Sequence, residues 1–145
     1  MALNFFIKEE SELSDITDDI LSFSNSNLFV FYGEMGVGKT TFVKHLINQF
    51  QIAKKIKITE VTSPTFNLLN EYDLDDLTIK HYDLFRIKDK SEIINLDIFN
   101  YNQNIITLIE WPQLIDKQNS IETINMIFNY ENELNNRSVK IEGLD

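Results

Sequence analysis

Three of the four glycines in this 145-residue chain, Gly33, Gly36 and Gly38, fall within six positions. A chain so poor in glycine concentrates it where the backbone must take conformations closed to other residues. The run before them, Leu28-Phe29-Val30-Phe31-Tyr32, is continuously apolar, as in a central strand buried on both faces. After them Phe42, Val43, Leu46, Ile47 and Phe50 recur at helical spacing. The order strand, glycine turn, helix constrains the fold more than any other feature of the chain.

Residues 33 to 40 read GEMGVGKT, which fits G-x-x-x-x-G-K-[ST] at every fixed position. Such a turn lets successive backbone N–H groups point inward and cradle phosphate oxygens at a helix N-terminus, whose dipole favours anions. The expected phosphate-binding set is Glu34, Met35, Gly36, Val37, Gly38, Lys39, Thr40 and Thr41. Lys39 is expected at the β- and γ-phosphates and Thr40 at Mg²⁺. The predicted fold class is α/β, a P-loop NTPase with a mixed, mostly parallel central sheet flanked by helices.

Elsewhere the pattern predicts a short apolar start at 4–8, an amphipathic helix over 11–23 with Ser11 as its cap, and a short strand or exposed edge within 54–62. Residues 66–72 and 77–84 read as a hairpin around the acidic turn 73–76, and 91–101 as a helix. Ile105-Ile106-Thr107-Leu108-Ile109 reads as a second buried strand, and 121–130 with 139–144 as a terminal antiparallel pair. The length suits a single domain over 1–145.

A phosphate loop gives nucleotide binding and leaves the reaction open. Hydrolysis or transfer needs a further carboxylate, usually at the end of a buried strand, to hold the metal or its water. Glu110 ends the apolar run at 105–109, at the strand edge where α/β sheets bind ligands. Asp83 ends the strand in KHYDLFR, with His81 two residues earlier on the same face. His81 reads either as a structural hydrogen-bonder or as a group tuning a carboxylate. Arg86, one of only two arginines, is placed to pair with Asp83 or to reach a γ-phosphate. Thr65 follows Pro64 in a loop that could display its hydroxyl near the metal. Trp111, the only tryptophan, reads as a core filler or a partner anchor before Pro112.

Taken in order, GEMGVGKTT at 33–41, SPTF at 63–66, HYDLFR at 81–86 and IEWP at 109–112 resemble the TsaE family, formerly YjeE, of small bacterial P-loop ATPases. The resemblance covers residues 10 to 115. Met35 and Val37 stand where the family has Leu and Ala, and Phe85 where it has Tyr, which removes a hydroxyl. The resemblance implies an accessory role in forming threonylcarbamoyladenosine in tRNA, with ATP and Mg²⁺ as cofactors and the TsaD–TsaB pair as partner. By the same resemblance Lys39 and Thr40 bind phosphate and Mg²⁺, and Glu110 is the metal-side carboxylate. Asp83 orients or activates water, Thr65 is switch-like, and Trp111 is functionally sensitive.

Charge agrees with an indirect role toward tRNA. With 23 acidic against 13 basic residues and a net charge of −10, the surface repels phosphate backbones, so autonomous binding to DNA or RNA is not expected. The absence of cysteine excludes thiolate metal sites and thiol catalysis. The start of the chain has no basic leader followed by an apolar run, and no stretch approaches the ~18 apolar residues of a membrane span, so a cytoplasmic, membrane-free protein is expected. Two rivals share the loop. A small P-loop kinase would normally clamp the transferring phosphoryl group with several arginines; a nucleotide-gated, non-catalytic binding module would not need the carboxylates at all.

Overall fold

In the computed structural model, which describes residues 2–23, 26–64, 67–98, 102–115, 122–131 and 136–143, the chain begins with strand β1 (Ala2–Ile7) and helix α1 (Leu13–Phe23). Strand β2 (Leu28–Tyr32), helix α2 (Lys39–Ala53) and the hairpin of β3 (Leu69–Leu74) and β4 (Leu77–Asp83) follow. Helix α3 (Lys90–Ile94), β5 (Ile105–Glu110), β6 (Thr123–Tyr130) and β7 (Arg137–Glu142) complete the order.

The strands form one sheet in the order β1-β7-β6-β2-β5-β4-β3. Its four central strands, β6, β2, β5 and β4, run parallel, and the pairs toward both edges are antiparallel. The parallel part is therefore confined to the centre. β2 and β5 lie side by side with Phe31 opposite Glu110, so the strand entering the glycine turn and the strand ending in a carboxylate point to the same edge. Open α/β sheets bind ligands at this carboxyl edge.

Alternation along each strand divides the core into two layers. On one face Phe29, Phe31, Ile106, Leu108, Met126 and Phe128 pack against Leu13, Ile16 and Ile20 of α1 and Phe42, Val43, Leu46 and Ile47 of α2. On the other, Leu28, Val30, Tyr82 and Ile109 meet Ile93 of α3 with Leu84, Ile87 and Ile98. Among the described residues, no helix is long and apolar enough to cross a membrane.

Three local expectations change. Residues 56–64 form no strand. The side chain of Gln51, itself buried, takes the place of a sheet neighbour: its Nε2 donates to Thr59 Oγ1 at 2.9 Å and its Oε1 accepts from Thr59 N at 3.3 Å. The helix expected over 91–101 is only Lys90–Ile94, capped by Asp89, whose carboxylate accepts from Ser91 N. Asp97 takes a left-handed conformation that no α-helix accommodates, and residues 99–101 lie outside the described residues. Ser11 is not a cap. It sits inside a 3₁₀ turn, Glu10–Glu12, whose entry is held by a reciprocal capping box between Glu9 and Glu12.

Candidate functional site

The glycine turn leaves β2 and enters α2 with Gly38 as N-cap and no side-chain cap. The first-turn N–H groups of α2 have no carbonyl inside the helix to meet, so they face the cleft at the sheet's carboxyl edge. Val37 turns inward and is buried, anchoring the turn in the core, while Glu34, Met35 and Gly36 stay exposed. Tyr130 of β6 holds the turn from outside, its hydroxyl donating to Met35 O at 3.0 Å.

Lys39 is buried, and its ammonium folds back to donate to Gly33 O at 2.5 Å. It also lies 3.3 Å from the centre of the Trp111 ring, a cation–π contact. Burial holds the ammonium below the ordinary lysine range, against the opposing pull of Glu110 and then Asp83. A charged amine satisfied by one carbonyl and one aromatic face, beside the first-turn backbone donors of α2, is suited to an anion.

Both carboxylates stand next to it. Asp83 and Glu110 are register partners on the adjacent parallel strands β4 and β5, so their side chains share a face. Two like charges so placed repel, and the site separates them by giving each its own donors. Ser63 Oγ donates to Asp83 Oδ2 at 3.1 Å and Phe85 N to Oδ1 at 3.0 Å. Glu110, only 2% exposed, accepts from Thr40 Oγ1 at 2.9 Å through Oε1 and bonds His81 Nε2 at 2.6 Å through Oε2.

Lys39, Thr40, Thr41, Asp83, Glu110 and Trp111 thus line one cleft of roughly 340 Å³ with the glycine turn. Thr40 and Glu110 are the pair able to hold a divalent cation. Among the described residues no group of three or more acidic or imidazole side chains is arranged to hold one unaided. Such a donor set suits a metal that brings phosphate oxygens with it. Arg86 lies in the exposed turn after β4 and is not one of the cleft-lining residues. Thr65 falls outside the described residues.

Two cleft residues cannot be assigned from sequence. Ser63 lies within SPTF, yet only its bond to Asp83 distinguishes it from its neighbours. Phe85 packs on Trp111 with ring centres 4.9 Å apart. This contact is invisible in sequence, because Trp111 belongs to a different strand exit. Trp111 itself adopts φ 58 and ψ 60, a left-handed conformation that directs its ring over Lys39.

The central parallel strands, the uncapped glycine turn after β2 and the buried carboxylate at the end of the neighbouring strand define the P-loop NTPase fold. The family profile described as "Threonylcarbamoyl adenosine biosynthesis protein TsaE" matches residues 7–139, and the chain belongs to the TsaE family. Similar relatives described as tRNA threonylcarbamoyladenosine biosynthesis protein TsaE include that of Rickettsia bellii, 39% identical over 62% of this chain and 60% of its own length. The Bacillus subtilis relative is 36% identical over 66% and 56%, and that of Aquifex aeolicus 32% over 74% of both. The chain thus spans little more than half the length of several of the curated relatives it matches. The crystal structure of Bacillus subtilis YdiB superposes with a TM-score of 0.73 at 22% identity, covering 100% of this chain and 87% of that one, a likeness of fold.

Proposed function

We propose that the protein binds ATP with Mg²⁺ in this cleft and hydrolyses it in support of tRNA threonylcarbamoyladenosine formation, acting on the TsaD–TsaB pair. The observation that carries the reading is the bond from Thr40 Oγ1 to Glu110 Oε1 at 2.9 Å. It joins the last residue of the phosphate-loop motif to the strand-end carboxylate, the two parts such a reaction needs on the metal. Bound there, Mg²⁺ would neutralise charge on the phosphate oxygens. Lys39 exchanges Gly33 O for a phosphate, and the backbone donors at the start of α2 hold the remaining oxygens. Asp83, kept as an acceptor by Ser63 and Phe85 N, orients the attacking water. Turnover by the protein alone is slow, because among the described residues the cleft is lined by Lys39 but by no arginine, and arginine is the group that most often neutralises the transition state of phosphoryl transfer. The partner supplies or completes that function.

The test is ATP turnover by the purified protein with Mg²⁺, alone and with TsaD and TsaB, using Lys39→Ala as the control for contamination. A low rate raised by the pair and lost in the variant is expected. An unchanged rate despite complex formation would replace the ATPase with a nucleotide-gated binding module. Phosphate transfer only in the presence of a small acceptor would indicate a kinase.

A further inference from the structure

His81 is fully buried in the middle of β4, where the sheet would more readily take an apolar side chain, and the reaction just described gives it no task. Its register partner on β5 is Leu108, which places it diagonally behind Glu110 on the same face of the sheet. Nε2 lies 2.6 Å from Glu110 Oε2, and Nδ1 is buried with no hydrogen-bond partner among the described residues. An ionised carboxylate is only an acceptor, so the short contact requires the proton on Nε2. The partnerless Nδ1 is then a bare lone pair, which costs less to bury than an unsatisfied N–H.

We infer that His81 is the positioning residue for Glu110. Its Nε2–H ties down Oε2 and fixes the carboxylate plane, which leaves Oε1 directed at Thr40 and at the cation side of the cleft. Without that bond Glu110 would be free to rotate toward the Lys39 ammonium, and the cation would lose one of its two protein ligands. The inference rests on the proposed Mg²⁺–nucleotide site, but the geometry on which it is built belongs to the protein alone.

The chain contains only two histidines, so the ring nitrogens can be assigned by comparing the parent with His45→Gln. Nitrogen-labelled, nucleotide-free protein should show His81 locked as the Nε2–H tautomer; the Nδ1–H tautomer or an averaged ring would overturn the assignment. The second arm measures Mn²⁺ affinity of the ADP-loaded protein by electron paramagnetic resonance, and the Mg²⁺ concentration for half-maximal turnover. His81→Leu, which keeps bulk and removes the donor, should weaken cation binding by about 10–100-fold. His81→Gln, whose amide reaches the Nε2 position, should lie closer to the parent than His81→Leu does. His81→Asn, whose shorter amide does not reach it, should resemble Leu.

If the Leu variant folds and binds Mn²⁺ as the parent does, His81 only fills space and the inference fails. If Leu does not fold, the Gln and Asn pair decides, since equal cation affinities for those two would also overturn it. Should the parent lack turnover altogether, the ATPase reading fails while the tautomer and Mn²⁺ measurements still judge His81.

Discussion

Substituting Gly36 by alanine tests how the phosphate turn is held. Gly36 has φ +79, and a Cβ built on it would lie 3.2 Å from the Tyr130 hydroxyl. Two costs follow. Holding alanine in the left-handed region costs roughly 1–2 kcal/mol. The crowded hydroxyl must also give way, and it is the group that donates to Met35 O; loss of that bond costs about 0.5–1.5 kcal/mol, toward the lower end at this exposed position. Gly36→Ala should therefore destabilise the protein by about 1.5–3 kcal/mol. In a Tyr130→Phe background the hydroxyl is gone, and the same substitution should cost only about 1–2 kcal/mol. Gly38 provides the control: φ is +113, but among the described residues nothing beyond its chain neighbours and its own helix backbone lies within 4 Å of an added Cβ. Gly38→Ala should be destabilising and show no coupling to Tyr130→Phe. The assay is urea unfolding of the parent, the three single variants and the two doubles, read as double-mutant cycles. Equal cost of Gly36→Ala in both backgrounds would refute the claim that the C-terminal hairpin, through Tyr130, braces the turn.

Further outcomes follow from the same geometry. Phe42 is fully buried, with ring centres 6.2 Å from Phe31 and 5.3 Å from Phe128; Phe42→Ala should cost about 3–5 kcal/mol in the same unfolding assay. Burial, followed by the charges of Asp97 and Glu71, pushes the Tyr82 phenol from 10.0 up to about 12. Between those values the native state holds a proton that the unfolded chain has lost, so stability falls as pH rises, by about 2–3 kcal/mol across the window. Tyr82→Phe should flatten that slope in urea midpoints measured from pH 10.0 to about 12. Because the only tryptophan carries Lys39 over its ring, pyrophosphate should change the emission of Trp111 by drawing the ammonium away. Lys39→Ala should abolish the change, and a silent titration at saturating pyrophosphate would refute the coupling.

The parts of this fold that are legible in sequence are those where one chain segment decides its own state. The apolar run at 28–32 has no solvated face to offer and becomes β2 between two parallel neighbours. The hairpin around Asp75 and Asp76 needs only a local turn, and Asp75 takes the left-handed conformation there. Failures occur where a distant or competing group decides. Alternating isoleucines at 56 and 58 look like an edge strand, but Gln51 from the end of α2 captures the backbone at Thr59. The helix after Asp89 ends early although its pattern continues, because Asp97 and the packing of Ile98 into the second core layer require a turn.

The site divides in the same way. Lys39 and Thr40 can be named from spacing because the loop and the start of its helix are continuous in the chain. Glu110 and Asp83 can be named as strand ends, but their pairing depends on β4 and β5 being parallel neighbours in one particular register. A shift of one residue would send Asp83 to the opposite face from Glu110. The sequence could not choose between a structural and a functional histidine at 81, since the distinction rests on a carboxylate 29 residues away in the chain. Parallel pairing brings Nε2 to that carboxylate, and the same pairing sets Asp83 beside it. Two acids and an imidazole on one sheet edge could share protons in several ways. Ser63 and Phe85 N donate to Asp83, and Thr40 donates to Glu110, so these donors favour both acids as carboxylates and leave His81 as the proton donor of the group. Removing Ser63 should disturb that arrangement: Ser63→Ala leaves Oδ2 of Asp83 without its side-chain donor, and the carboxylate should lose its fixed orientation beside Glu110. Comparing the carboxyl carbon chemical shift of Asp83 at neutral pH in the parent and in Ser63→Ala would show it, and an identical shift would mean that Ser63 does not hold the Asp83 carboxylate.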